Sequence, residues 1–216
     1  MLHPDKQWHY ETLARRATEA LKKNDFDAVY VANSAEARDA VLSLMPQGAT
    51  VGFGWSMSLQ QIGLMEPLKA GEFRLINPPW VEDGMSREKR MPLRRQAAQA
   101  DVFLAGTNAV TLDGKLVNVD STGNRVAGML FGPRKTILVV GANKVVRNLD
   151  EALDRAFSTA APANARRLDY KTPCSITGVC NDCQSEERIC RATVILHRMP
   201  RGVDVTVVMV GEELGF

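Results

Sequence analysis

Ala100-Asp101-Val102-Phe103-Leu104-Ala105-Gly106-Thr107-Asn108 sets an unbroken apolar run against a short polar tail. A strand with one wet face alternates apolar and polar residues, so a continuous run predicts a strand covered on both faces. Gly-Thr-Asn then ends it with one residue that frees the backbone and two that hydrogen-bond. The same pattern recurs outward. Ala28-Val29-Tyr30-Val31, Thr50-Val51-Gly52-Phe53 and Phe73–Ile76 read as strands upstream, and Thr136–Val140 and Val203–Val210 downstream.

Helical spacing fills the intervals. Tyr10, Leu13, Ala14, Ala17, Ala20 and Leu21 recur on one face behind Asp5 as a plausible N-cap. Ser34 opens a second helix that Pro46-Gln47-Gly48 stops, and Ser56 or Ser58 caps a third reaching about Ala70. A charged helix covers Ser86–Ala100, with Pro92 expected to break or kink it, and another covers Asp150–Ala160. Strands alternating with helices predict an α/β fold with a largely parallel sheet covered by helices. One insertion departs from this: Val110–Val117 carries Asp113-Gly114 between apolar flanks, a hairpin signal. With no internal repeat and no low-complexity linker, residues 1–216 are expected to form a single domain that includes a cysteine-rich segment at 172–191.

The 216 residues are 45% hydrophobic and 24% charged, ordinary for a chain with a sizeable core. A net charge of +2 gives no basis for nucleic-acid or membrane binding. The start, Met1-Leu2-His3-Pro4-Asp5, lacks a basic region followed by an apolar run, and no stretch approaches a spanning helix. The expected compartment is the cytoplasm.

Parallel strands bring their carboxyl ends to one rim, where ligands of open α/β sheets bind. Four predicted strands end in Gly52-Phe53-Gly54-Trp55-Ser56-Met57-Ser58, Gly106-Thr107-Asn108, Gly141-Ala142-Asn143-Lys144 and Gly211-Glu212-Glu213. The glycines Gly52 and Gly54 allow close backbone approach, and Ser56 and Ser58 precede helical N–H groups that suit an anion. Plain strand-to-helix turn chemistry would use the same residues. No Gly-Lys-Ser/Thr follows, so this is not a Walker loop. Asn118-Val119-Asp120-Ser121-Thr122-Gly123-Asn124-Arg125 adds a second dense polar stretch. Arg125 can grip a carboxylate or phosphate and Asp120 can act as acid, base or hydroxyl acceptor; the structural alternative makes Ser121 or Thr122 a helix cap and Arg125 part of an ion pair. The expected ligand is a small anion held by Gly52, Gly54, Ser56, Ser58, Asn108, Asn118, Gly123, Asn124, Arg125 and Lys144. Asp120 is the candidate catalytic residue, with Glu212 and Glu213 in reserve. His3, His9 and His197 are scattered, Trp8, Trp55 and Trp80 form no stacking pattern, and Arg87, Lys89, Arg90, Arg94 and Arg95 read as a solvated helix face.

All four cysteines fall in one window, Cys174, Cys180, Cys183 and Cys190, spaced C-x5-C-x2-C-x6-C. In a reducing compartment such a cluster points to metal binding or catalysis rather than a disulfide framework, with free thiols or a redox disulfide as the remaining reading. Four thiolates suit either zinc or an iron–sulfur cluster. The spacing matches neither a zinc ribbon nor a bacterial ferredoxin, and Lys171, Arg188 and Arg191 can offset thiolate charge.

Val51-Gly52-Phe53-Gly54-Trp55-Ser56-Met57-Ser58-Leu59-Gln60-Gln61-Ile62-Gly63-Leu64 resembles the glycine-rich segment of the lactate-utilisation (LUD, also DUF162) domain family, with Ser58 where threonine is usual. Ala100–Ala109, Asp113-Gly114, Leu116–Asp120, Gly123–Val126, Gly132-Pro133 and Gly141–Lys144 continue the likeness. The resemblance implies a Rossmann-like fold similar to the NagB/RpiA/CoA-transferase superfamily, whose members act on phosphosugars, CoA esters and related anions. The cysteine tail resembles a subgroup described as iron–sulfur accessory proteins. That likeness ranks a [4Fe–4S] cluster ahead of zinc and implies an iron–sulfur or flavin oxidoreductase as partner. The alternative is an isomerase- or transferase-like enzyme with a structural zinc.

Overall fold

Val51, Val102, Lys135 and Asp204 stand side by side in register across four parallel strands. They belong to a six-stranded sheet in the order β1-β10-β7-β4-β2-β3, every pairing parallel. The strands are β1 (Asp27–Val31), β2 (Thr50–Phe53), β3 (Arg74–Ile76), β4 (Val102–Ala105), β7 (Lys135–Gly141) and β10 (Asp204–Val210). The computed structural model describes residues 3–82 and 84–216. Among them no helix is long and apolar enough to cross a membrane.

The unbroken apolar runs mean what the sequence suggests. Phe103, Ala105, Leu138, Val140, Val207 and Met209 enter one core with α1 (Pro4–Lys23). Their alternates Val102, Leu104, Ile137, Val139, Val208 and Val210 enter a second with α2 (Ser34–Ser43). Both sheet faces are therefore apolar and covered, as a Rossmann-like α/β fold requires.

The expected hairpin is present as β5 (Ala109–Thr111) against β6 (Leu116–Asp120), antiparallel. It belongs to a second sheet, β8-β5-β6-β9, with β8 at Val145–Val146 and β9 at Ala192–Leu196. β9 is not anticipated above, although Thr193-Val194-Ile195 is a β-branched run.

Four helices differ in detail from expectation. α1 starts at Pro4 with His3, not Asp5, accepting at the cap. The helix expected from Ser56 to Ala70 is two short pieces, α3 (Met57–Gln61) and α4 (Met65–Ala70), because Gly63 turns left-handed at φ +70° between them. Pro92 lies inside α5 (Arg87–Ala97) without ending it. Beyond α6 (Asn124–Leu130), the expected Asp150–Ala160 helix runs on as α7 (Leu149–Arg155), a π-helical turn at Ala156–Ala160, and α8 (Ala161–Arg167).

Candidate functional site

From β2 the chain proceeds to β3 on one side, whereas from β4 it proceeds to β7 on the other. Ligands of open α/β sheets bind where connections diverge in this way. A cavity of about 360 Å³ opens beyond the carboxyl ends of these strands. Gly54, Trp55 and Ser56 after β2, Gly106, Thr107 and Asn108 after β4, and Lys144 after β7 all line it. Asp120, Ser121, Thr122, Asn124 and Arg125 close one side. Gly52, Ser58, Asn118 and Gly123, also proposed from sequence, lie outside the lining.

Gly52 has a packing reason. A β-carbon there would lie 2.0 Å from the Ala97 carbonyl oxygen, so glycine lets α5 press on β2. Gly54 is crowded from three sides, by Ala105, Arg125 and Phe103. The α3 helix is five residues long, so the helix-dipole reason for an anion at Ser56 and Ser58 has little weight. Ser56 accepts no helix-capping bond, while Ser58 accepts from Lys144 Nζ at 3.0 Å.

Arg125 and Asp120 are committed to the protein. Arg125 Nη1 donates to the Gly106 carbonyl and Asn118 Oδ1, and Nη2 donates to Asn108 Oδ1 and the Val119 carbonyl, all between 2.7 and 2.9 Å. Its Nε faces Asp120 Oδ2 at 3.5 Å. The guanidinium thus ties the loop after β4 to strand β6 and has no pair of donors left for a bidentate anion. Burial pushes its pKa down, with Asp120 opposing. Asp120 Oδ1 accepts the Thr122 and Gly123 amides at 3.1 and 2.8 Å, fixing the turn before α6. Glu212 accepts from Ser34 at the start of α2, and Glu213 from Lys6 and Tyr10. Neither reserve carboxylate lines the cavity.

Residues from later or more distant segments complete the wall. Arg90 and Arg94, expected on a solvated face, line the cavity with Glu82, Arg167 and Tyr170. Glu82 is 4% exposed and accepts from Asn77 Nδ2 at 2.6 Å and Arg94 Nε at 2.8 Å. Burial alone would raise the Glu82 pKa, but bonds from Arg94 and Asn77 outweigh it and hold the carboxyl below its ordinary range. Arg167 has no ion pair among the described residues; its Nε and Nη2 donate to Asn164 Oδ1. Burial lowers its pKa. Trp55 holds a left-handed backbone at φ 56°, and its indole Nε1 is buried without an acceptor among the described residues. The wall carries four guanidinium groups and the Lys144 amine against the side-chain carboxylates of Glu82 and Asp120, so its charge favours an anion.

Lys144 is 4% exposed and has no carboxylate partner among the described residues. Desolvation, then the cations Arg155 and Arg125, lower its pKa to about 7.

The four cysteines form a second, much smaller cavity. Cys174 lies on α9 (Pro173–Thr177), which Gly178 ends at φ 76°; Cys180, Cys183 and Cys190 follow on the loop. All four, each half-buried, line one pocket with Phe157, Asn181 and Arg188. Arg188 braces the loop: it donates to the Cys183 carbonyl at 2.8 Å and the Cys190 carbonyl at 2.9 Å, and pairs with Asp182 at 2.7 Å. Among the described residues no three His, Cys, Asp or Glu side chains are set at metal-binding geometry. The donor chemistry nevertheless fits a thiolate-ligated centre, because the described lining offers four thiols and no carboxylate or imidazole. Burial raises the Cys190 pKa, with Arg188 opposing.

Ala161 and Ile189 line both cavities. The π-helical turn sits at this divide, with Ala156 and Ala160 facing the polar cavity and Phe157 the cysteines. Such turns are rare and occur frequently at functional sites.

A parallel sheet with this order, a ligand-sized crevice at its switch point and helices on both faces define a Rossmann-like protein of the LUD type. The LUD domain family model matches residues 14–210, and the chain belongs to that family. Among solved structures, a DUF162 family protein from Deinococcus radiodurans is similar over 93% of this chain and 98% of its own, with a TM-score of 0.53 and 15% identity. At that identity the likeness concerns the fold. No curated protein matches the sequence significantly.

Proposed function

We propose that this chain is a lactate-utilisation-type accessory protein that holds a [4Fe–4S] cluster on Cys174, Cys180, Cys183 and Cys190 and works beside an iron–sulfur or flavin oxidoreductase, with a small anion in the polar cavity. The observation that carries this reading is the shared wall: a four-thiol pocket abuts an arginine-lined crevice through Ala161 and Ile189. A cluster there would supply one-electron chemistry. The protein's own part is to brace the cysteine loop through Arg188 and to attract the anion through Arg167 and Arg90.

Anaerobic purification followed by visible spectroscopy and iron and sulfide analysis tests this reading. The expected result is a brown protein with a broad band near ~400 nm, lost in Cys183→Ser. A colourless protein whose zinc disappears in the same variant would establish the alternative, an isomerase- or transferase-like enzyme with a structural metal. Lys144, an amine on the cavity wall, is the observation that favours this second reading.

A further inference from the structure

We propose that Lys144 is a nucleophilic amine of the polar cavity and forms an imine with the carbonyl carbon of a small anionic 2-oxo acid. The inference rests on the reading of the cavity as an anion site and is independent of the cysteine site.

The geometry sets Lys144 apart from a structural lysine. It follows β7, on the wall of the 360 Å³ cavity, and is 4% exposed. A buried ammonium is normally paired with a carboxylate. Here Nζ has one hydrogen-bond partner among the described residues, the Ser58 hydroxyl at 3.0 Å. Ser58 is itself fully buried and outside the cavity lining, so it fixes the amine from behind. The charged neighbours are the wrong sign for an ammonium: Arg125 and Arg155 both disfavour it, and desolvation disfavours it more. Burial beside another cation is a recognised way to keep a lysine neutral and nucleophilic. A β-carbon at Gly215 would approach Nζ to 3.2 Å, so glycine there leaves room around the amine.

The wall selects the substrate class. A neutral amine facing a small cavity attacks carbonyl carbon, and the surplus of guanidinium groups calls for a carboxylate on the same molecule. The nitrogen lone pair forms the C–N bond as the carbonyl π electrons move to oxygen. Loss of that oxygen as water, carrying away both Nζ hydrogens, leaves the C=N bond, and hydrolysis reverses the step. No oxidant or reductant is consumed.

Glyoxylate with sodium borohydride tests the proposal on the full chain, by intact mass and peptide mapping. The expected result is one dominant reduced adduct on Lys144, ahead of exposed lysines such as Lys6 and Lys171. Labelling of Lys144 should rise as pH passes about 7 and then level off, while surface lysines continue to gain reactivity toward higher pH. Lys144→Met should abolish the adduct. Ser58→Ala, which keeps the amine but removes its orienting partner, should slow labelling about 3- to 10-fold. Labelling confined to exposed lysines, no adduct, or an unchanged adduct in a folded Lys144→Met variant would each overturn the proposal. The chemistry needs no metal, so Lys144 labelling in a Cys183→Ser protein retains this inference whatever becomes of the cluster.

Discussion

A β-carbon on Gly52 would fall 2.0 Å from the carbonyl oxygen of Ala97, so strand β2 and helix α5 touch backbone to backbone at this point. Gly52→Ala must push α5 off the sheet or distort β2. The expected loss is about 1–3 kcal/mol of stability, the usual range for overpacking, read by chemical denaturation. Phosphate affinity of the folded fraction should stay within about twofold, since Gly52 is not on the cavity wall. A stable variant that had lost phosphate binding would assign Gly52 to the ligand instead.

Asp120 fastens the turn before α6 by accepting two amides on one oxygen. Asp120→Asn keeps an acceptor but removes the charge facing Arg125. We expect a stability loss of roughly 1–3 kcal/mol, and a larger one for Asp120→Ala. Equal stability in all three proteins, by thermal unfolding, would show that the carboxylate is not structural and restore it as a catalytic candidate.

Arg167 donates from Nε and Nη2 to the neighbouring Asn164 and keeps a face on the cavity. Arg167→Ala should weaken inorganic phosphate binding about tenfold, the equivalent of ~1.4 kcal/mol, measured by calorimetry. Unchanged affinity would move the anion away from this wall.

Lys144 links stability to pH. Its folded pKa of about 7 lies below the ordinary lysine value of 10.5, so between these limits the unfolded chain binds more protons than the folded one. Stability contributed at this site therefore rises with pH above about 7 and is least below it, where the buried amine must carry charge. Relative to Lys144→Met, the wild type should gain about 2 kcal/mol between about pH 7 and about pH 9. Parallel pH curves for the two proteins would mean that Lys144 titrates normally.

The parallel sheet was legible because Val102–Ala105 and Lys135–Gly141 are buried on both faces and have no polar alternation to confuse the period. Part of the rim followed from it: Gly54, Ser56, Asn108 and Lys144 meet at one cavity because parallel strands end together, and Arg125 joins them from α6. Gly63 carries no legible break signal in the sequence, since a lone glycine inside a helical pattern can be tolerated as well as terminate the helix. Glu82, Arg94 and Arg167 were illegible as wall residues because they come from segments whose local patterns say only loop or charged helix. Trp55 carried a signal in its position after Gly54, but its unspent indole donor is a property of the folded surroundings alone. Arg125 is expected from sequence to grip the anion, with a structural ion pair as the alternative; its pairing with Asp120 and the commitment of its other donors to Gly106, Asn108, Asn118 and Val119 are visible only once the loop after β4 and strand β6 are brought together.

Ile189 and Ala161 belong to two chambers at once, so their positions are not private to either. Any shift of the Ile189 side chain that widens the polar chamber narrows the space beside the thiols, and the reverse. Whatever fills one side then alters the free energy of filling the other, and the alteration is the same in both directions. A guest that tightens the cysteine loop must itself be held more tightly when the crevice is full, or more loosely, by one common factor. Enlarging Ala161 to valine would change that factor without touching a single polar group, making the partition between the chambers a mechanical setting carried by two apolar side chains.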